Sequence, residues 1–167
     1  MGSGKTSVAR ALSRRLELPV IDLDAEIETQ NGISIAAFFA EHGEDAFREL
    51  ETAALRESLK HRAVIATGGG VITREPSRAL LAGAAKGGAR IVYLRASPET
   101  LAARIRRQDG TRPLIDGDKV LSLEETTARV RELLQQRAGF YASCATRIVD
   151  TDSLSTGEVV QQIAQGL

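Results

Sequence analysis

Four short runs of apolar residues predict β-strands, at residues 19–22, 63–66, 90–94 and 146–149. The segments between them carry apolar residues at helical spacing, as in the stretch after residue 6, where Val8, Leu12 and Leu16 share one helix face. Because the strand runs are nearly continuously apolar and do not alternate, they are typical of strands covered on both faces. We therefore predict one α/β domain over residues 1–167, built on a largely parallel sheet.

Serine residues mark several predicted helix starts. Ser97 precedes a proline, and Ser122 and Ser155 are each followed three residues later by glutamate, which is the capping-box pattern. A further helix is predicted from Glu44 to about Lys60.

Composition narrows the possible functions. The chain has 22 basic and 22 acidic residues, so it lacks the basic excess typical of nucleic-acid-binding surfaces. Cys144 is the single cysteine, which excludes an internal disulfide and favours a reducing cytoplasm, where we expect it to be a small buried residue. No apolar run approaches membrane-spanning length, so we expect no membrane partner.

The first residues of the chain suggest a phosphate-binding loop. Gly2–Thr6 matches the closing half of the pattern G-x-x-x-x-G-K-[ST], in which the lysine reaches the β and γ phosphates and the hydroxyl binds Mg²⁺. The first glycine of that pattern and the apolar strand that feeds the loop would precede Met1. The alternative is a glycine-rich segment ahead of an ordinary helix.

Polar residues follow the predicted strands, where ligands of parallel sheets bind. Asp22 and Asp24 follow the first strand. On an extended segment their side chains would point the same way, so that one could support Mg²⁺ and the other face a substrate hydroxyl. The alternative is that Asp24 caps a helix. Gly68–Gly70 follows the second strand and predicts close approach of the backbone to a ligand, with a tight turn as the alternative. Arg95 and the segment 150–152 follow the other two strands.

Three arginines are candidate anion-binding residues, and each has an ordinary alternative. Arg112 lies in a polar, glycine-bearing segment that is typical of a mobile lid. The alternative is a plain surface loop. Arg48 could instead pair with Glu51. Arg137 could be a solvated residue near a helix end.

Taken together, these motifs resemble those of shikimate kinase. Gly-Ser-Gly-Lys-Thr resembles the phosphate loop of that family, Asp22-Leu-Asp24 its D-x-D motif, and Gly68–Gly70 its triple glycine. Phe47-Arg48 and the segment that begins at Arg137 resemble its two substrate arginines, and Arg112-Pro-Leu resembles its lid. The resemblance covers essentially the whole chain in the right order.

The resemblance implies a P-loop kinase fold of strand order 2-3-1-4-5, with substrate-binding helices at 24–62 and a lid at 108–121. The implied reaction is transfer of phosphate from ATP to the 3-hydroxyl of shikimate, in aromatic amino-acid (chorismate) biosynthesis, by a monomer that uses Mg²⁺. The implied catalytic residues are Lys5, Asp24 and Arg112. ATP would contact Gly2, Ser3, Gly4, Lys5, Thr6, Ser7, Arg107 and Arg112. Shikimate would contact Asp24, Arg48, Gly68, Gly69, Gly70 and Arg137. Thr6 and Asp22 would serve the metal.

The resemblance also implies that the central strand, strand 1, is missing from this chain. We expect a gap in the sheet beside residues 63–66 and an incomplete phosphate cradle.

Rival functions are another small-acid kinase of the same fold, such as a gluconate kinase, and a non-catalytic sensor domain of a bacterial regulator. A structural domain without a ligand would leave the triple glycine and the arginines unexplained.

Overall fold

The structure of the chain, a computed structural model, describes residues 2–107 and 121–165. The strands in these ranges are β1 (Val20–Asp22), β2 (Val64–Ala66), β3 (Val92–Arg95) and β4 (Arg147–Asp150). The helices are α1 (Lys5–Leu16), α2 (Leu23–Asn31), α3 (Ile35–Ser58), α4 (Glu75–Lys86), α5 (Pro98–Arg106), α6 (Leu123–Cys144) and α7 (Thr156–Ala164), with a 3₁₀ turn at Val71–Thr73.

The four predicted strands are confirmed to within one or two residues at their ends. β1 pairs with β2 in parallel, with Val20 opposite Val64, and β3 pairs with β4 in parallel, with Tyr93 opposite Ile148. Within the described residues these pairs form two separate two-stranded sheets. The parallel direction is therefore as predicted, while the order 2-3-1-4-5 stays a prediction.

The predicted serine caps are confirmed. The Ser97 hydroxyl accepts a hydrogen bond from the backbone N–H of Thr100, and Ser122 and Ser155 each form a complete capping box. One helix differs from the prediction: α3 already begins after Ser34 and is interrupted at Gly43, whose φ of 81° is left-handed, so Glu44 begins only its second segment.

Two apolar clusters lie on opposite faces of the strands. The α1/α7 core consists of Val8, Leu12, Leu94, Val149, Val159, Val160 and Ile163. The α3/α4 core consists of Leu23, Leu55, Val71, Ile72 and Leu81, and Cys144 packs against it partly buried. Helices thus cover both faces of the strands, and the carboxyl ends of β1 and β2 lead directly into α2 and into the segment 67–70.

Candidate active site

The loop at residues 2–4 leads into α1 and leaves the first turn of that helix accessible to an anion. Gly2 and Gly4 have φ values of 69° and 82°, a left-handed backbone that glycine adopts without strain. A Cβ on Gly2 would lie 2.8 Å from the carbonyl oxygen of Leu101, so this loop packs tightly against α5. Lys5 opens the helix, and its Nζ donates to the Ser3 hydroxyl over 3.4 Å. Backbone N–H groups of a first helical turn attract phosphate.

The two residues predicted to serve a metal contact each other. The Thr6 hydroxyl donates a hydrogen bond of 2.9 Å to a carboxylate oxygen of Asp22, which holds the N-cap position of α2. Both groups offer hard oxygen atoms of the kind that Mg²⁺ prefers. The structure therefore brings together the hydroxyl of α1 and the carboxylate at the end of β1.

Asp24 lies on a helix and not on an extended segment. This corrects the prediction that Asp22 and Asp24 point the same way because they are two residues apart on a strand. The chain turns from β1 into α2 at Asp22, so Asp24 is the second residue of the helix. Burial raises the pKa of the Asp24 carboxyl, as does the neighbouring carboxylate of Asp22, while Lys5 and Arg48 oppose this shift. Asp24 thus lies within electrostatic reach of both Lys5 of the predicted phosphate loop and Arg48.

Arg48 is held by an ion pair inside the fold. Its guanidinium donates to Glu51 over 2.7 Å and to Glu44 over 3.0 Å, and the Arg48 side chain is only 5% exposed. The ring of Phe47 lies 5.3 Å below the guanidinium carbon. Burial lowers the pKa of Arg48, but Glu51 and Glu44 together outweigh this and the pKa is raised. Burial raises the pKa of Glu51, and Arg48 offsets this only in part. Arg48 therefore does pair with Glu51, as the alternative interpretation of the sequence predicted, and this ion pair orients the guanidinium.

The triple glycine makes room for this ion pair. A Cβ on Gly68 would lie 2.2 Å from Glu51 Oε1 and 3.0 Å from Asp24 Oδ1. A Cβ on Gly70 would lie 2.2 Å from the guanidinium carbon of Arg48. Neither distance is possible for a real side chain, so the close approach that demands glycine here is to protein side chains. This places the backbone of 68–70 against the site.

Arg137 joins the same group through a tyrosine. Arg137 is buried on α6, and Tyr141 lies one helical turn later. Burial raises the pKa of the Tyr141 hydroxyl, and the charge of Arg137 opposes this rise. The Tyr141 hydroxyl in turn donates to the carbonyl oxygen of Gly69, and the Tyr141 ring stacks on Tyr93 at 4.9 Å. The charge of Arg137 also lowers the pKa of Glu51. The two predicted substrate arginines therefore both border the segment 68–70, Arg48 directly at Gly70 and Arg137 beside the Tyr141 that contacts Gly69.

Some predicted residues lie elsewhere or outside the described ranges. Arg95 and Asp150, the last residues of β3 and β4, form an exposed bidentate ion pair at 2.5 and 2.8 Å and are thus paired with each other. Arg107 lies exposed at the end of α5. Arg112 and the predicted lid 108–121, apart from its last residue, are outside the described residues.

Two residues of the site were not assigned a role from the sequence. Glu51 was considered only as a competing partner of Arg48, yet its Oε1 is buried without a hydrogen-bond partner among the described atoms and faces Gly68. Tyr141 belongs to the segment that begins at Arg137, in which the sequence motif assigns a role only to the arginine. Its spacing of four residues from Arg137 on one helix is the signal that could have identified it.

The arrangement suits transfer of an anionic group to a small anionic acceptor. A helix N-terminus, a lysine and a Thr–Asp pair lie on one side, and two arginines and a buried carboxylate lie on the other. In ranges 2–107 and 121–165 no three His, Cys, Asp or Glu residues cluster to hold a metal by themselves. None of the helices in the same ranges combines the length and apolar character needed to cross a bilayer.

Known proteins with this sequence pattern are consistent with that chemistry. The family model described as shikimate kinase matches residues 1–167. The shikimate kinase of Enterococcus faecalis is 35% identical over 100% of this chain and 94% of its own length, and that of Thermobifida fusca is 40% identical over 99% and 90%. The structure of the Acinetobacter baumannii shikimate kinase in complex with shikimate superposes with a TM-score of 0.87 at 35% identity, over 99% of this chain and 87% of that one. The enzyme of Bacteroides thetaiotaomicron gives 0.88 at 31% identity, over 99% and 92%.

Proposed function

The chain belongs to the shikimate kinase family, and on that premise we propose that the site described above transfers the γ-phosphoryl group of ATP to the 3-hydroxyl of shikimate. The observation that carries the proposal is the convergence of Arg48, Arg137 and Asp24 on the segment 68–70, next to Lys5. Phosphoryl transfer depends on positioning and charge neutralisation more than on covalent help from the protein, and these residues supply both.

ATP binds through its phosphates at the start of α1. The backbone N–H groups of residues 2–7 and the Lys5 ammonium hold the β and γ phosphates. Thr6 and Asp22 fit Mg²⁺, because they present a hydroxyl and a carboxylate 2.9 Å apart and because Mg²⁺ in kinases needs only one or two protein groups beside the phosphates. When bound, the metal neutralises phosphate charge. Arg107 is proposed to flank the adenine, and Arg112 to neutralise the transferring phosphoryl group.

Shikimate binds through its carboxylate. Arg48 and Arg137 are both buried and both cationic, and a pair of guanidinium forks fixes a carboxylate in orientation as well as in position. The amides of Gly69 and Gly70 lie beside them and complete the proposed carboxylate site. The ring hydroxyls then face Asp24.

Asp24 acts as the base in this proposal. Its carboxylate accepts the proton of the 3-hydroxyl while the hydroxyl oxygen forms a bond to the γ-phosphorus. The bond from that phosphorus to the β–γ bridging oxygen breaks, and ADP leaves. A carboxyl whose pKa is raised by burial is better matched to this role than an exposed one.

The finer features of the fold are part of the same proposal. In the order 2-3-1-4-5, strands 2 and 3 are neighbours, and so are strands 4 and 5. With β1–β4 taken as strands 2–5 of that order, the observed pairs β1–β2 and β3–β4 are these neighbours. The chain is proposed to act as a monomer, which size-exclusion chromatography with light scattering would test.

Coupled measurement of ADP release tests the function. We expect release with ATP, Mg²⁺ and shikimate, much less with gluconate, and none after Lys5→Ala or Asp24→Asn in a folded protein. Equal rates with gluconate would indicate a broader acid kinase. Shikimate binding by calorimetry without ADP release would indicate a sensor domain.

A further inference from the structure

The 3₁₀ turn Val71–Thr73, which follows the triple glycine, ends on two carbonyl groups that need donors. The next residue, Arg74, is extended, with φ −90° and ψ 133°, so the turn does not run on into α4. Arg78, near the start of α4, supplies the donors. Its Nη1 atom donates to the carbonyl of Ile72 over 2.8 Å and to the carbonyl of Thr73 over 2.9 Å. One guanidinium nitrogen thus closes the end of the turn.

The same arginine contacts α6. The guanidinium carbon of Arg78 lies 4.4 Å from the centre of the Phe140 ring, which is within the range of a cation–π contact. Phe140 is 40% exposed, while Arg78 is half-buried between the turn and the ring. Arg78 therefore links the 3₁₀ turn to the helix that carries Arg137.

Phe140 and Tyr141 are consecutive on α6 and hold opposite ends of the segment 69–73. The Tyr141 hydroxyl donates to the carbonyl of Gly69, at the start of the segment. The Phe140 ring supports Arg78, which binds the carbonyls at its end. This segment is therefore attached to α6 at two points, one through a direct hydrogen bond and one through an arginine of α4.

Hydrogen bonds within the turn connect the arginine to the glycines. Thr73 donates to the carbonyl of Gly70 with its backbone N–H, over 2.9 Å, and with its hydroxyl, over 2.7 Å. Because Arg78 holds the carbonyl of Thr73, a shift of the arginine reaches Gly70 through a single residue. Gly70 packs against the Arg48 guanidinium without room for a Cβ, so a small displacement of Gly70 changes its fit to Arg48.

From this geometry we propose that Arg78 is a positioning residue for shikimate binding, an inference that rests on the function proposed above. Arg78 does not touch the substrate. Through the turn and through Phe140, it fixes the amides of Gly69 and Gly70 relative to Arg137. The proposed carboxylate site combines groups from separate elements, so its affinity depends on how accurately those elements are placed.

Steady-state kinetics of Arg78→Met tests this role, because methionine keeps an apolar stem and removes the donors. We expect KM for shikimate to rise about tenfold, while kcat and KM for ATP change by less than about twofold. Arg78→Lys should restore most of the affinity, because a single nitrogen serves both carbonyls and an ammonium can take its place. An unchanged KM for shikimate in Arg78→Met would overturn the proposal, even if the variant were less stable.

Arg74→Met is the matched control. Arg74 also adjoins the turn, but it pairs with the exposed carboxylates of Asp45 and Glu49 at 3.9 and 3.6 Å. We expect KM for shikimate to stay within about twofold of the natural value, because exposed pairs contribute little. An equal rise in Arg74→Met and Arg78→Met would overturn a specific role of Arg78.

Phe140→Leu tests the α6 side of the contact and is suited to do so even if Arg78→Met does not fold, because Phe140 is partly exposed. Leucine keeps apolar bulk and removes the ring face. We expect KM for shikimate to rise, and the double variant Arg78→Met/Phe140→Leu to raise it no further than Arg78→Met alone. Additive effects, or an unchanged KM in Phe140→Leu, would overturn the link between the turn and α6.

Amide hydrogen exchange, measured by NMR without ATP or shikimate, separates this role from the proposed kinase activity. The N–H of Thr73 is hydrogen-bonded to Gly70, and we expect it to exchange faster in Arg78→Met but not in Arg74→Met. Unchanged exchange at Thr73 would overturn the claim that Arg78 fixes the turn. Failure of the natural chain to release ADP with shikimate would instead overturn the proposed function.

Discussion

The guanidinium of Arg48 lies 2.7 Å from the carboxylate of Glu51, and the two side chains are 5% and 1% exposed. The second oxygen of Glu51 points at the Cα of Gly68 and has no hydrogen-bond partner among the described atoms. Arg48, which we propose binds substrate, is thereby fixed by a buried carboxylate three residues later on the same helix. Two predictions separate the contribution of this pair to stability from its contribution to binding.

The first prediction concerns stability. Glu51→Ala leaves the buried Arg48 with only the half-exposed Glu44 as partner, so we expect the free energy of unfolding to fall by about 3–5 kcal/mol. Urea denaturation followed by circular dichroism measures it. Glu49→Ala is the matched control, because Glu49 is 72% exposed and lies 3.6 Å from Arg74; we expect a loss of at most about 1 kcal/mol. Equal losses in both variants would contradict the importance of the buried pair.

The second prediction concerns binding. Arg48→Ala and Arg137→Ala should each raise KM for shikimate by the equivalent of about 2–5 kcal/mol, because the substrate carboxylate is left without one of its buried partners. Steady-state kinetics with shikimate varied at saturating ATP measures this. Arg131→Ala is the control, since Arg131 is exposed and paired with Glu99 on α5. An unchanged KM for either site variant would remove that arginine from the carboxylate site.

The third prediction concerns Tyr141. Its hydroxyl donates to the carbonyl of Gly69 and feels the charge of Arg137, so Tyr141→Phe should leave both groups less well oriented. We expect KM for shikimate to rise by the equivalent of about 1–3 kcal/mol, with a smaller change in KM for ATP. Tyr93→Phe keeps the stacked ring pair and is the control. A change in thermal stability without any change in KM would show that the hydroxyl is structural only.

The fold and much of the site could be predicted because they follow from local rules. Apolar runs gave the strands, serine caps gave three helix starts, and the glycine–lysine–threonine segment marked the start of α1. Long-range pairing was not predictable in this way. Asp150 pairs with Arg95 from a strand 55 residues earlier, and no local pattern distinguishes that carboxylate from Asp22, which faces Thr6.

The fourth prediction tests the space that the triple glycine provides. Gly70→Ala would place a methyl group 2.2 Å from the Arg48 guanidinium carbon, so the arginine must move. We expect KM for shikimate to rise at least as much as in Arg48→Ala, together with lower stability. Gly83→Ala is the control: apart from the neighbouring residues and the local backbone of α4, no atom lies within 4 Å of the added methyl, and the change should stabilise by about 0.5–1 kcal/mol. Normal kinetics in Gly70→Ala would contradict the geometry described for Arg48.

The fifth prediction concerns the pH dependence that Asp24 gives to the fold. Burial and the Asp22 carboxylate raise the pKa of Asp24 above the ordinary value of 3.8. At pH values between 3.8 and the folded-state pKa, the folded state therefore holds a proton that the unfolded state has lost. Stability linked to Asp24 is then fully present below pH 3.8 and decreases as the pH rises through the folded-state pKa. Asp24→Asn removes this loss, and we expect the variant to be more stable than the natural chain at pH 7 although phosphoryl transfer is abolished.

Urea denaturation of both proteins between pH 4 and pH 8 measures the effect. Glu51 also has a raised pKa, but it is present in both the natural chain and Asp24→Asn. The difference in unfolding free energy between these two proteins therefore reports on Asp24 and on its coupling to Glu51. The difference should grow as the pH rises from 4 and then level off. Glu26→Gln, on the exposed side of α2, is the control for loss of a carboxylate and should give a nearly flat difference. A difference that shrinks with rising pH would mean that ionised Asp24 stabilises the fold, and would contradict the assignment of a buried, strained base.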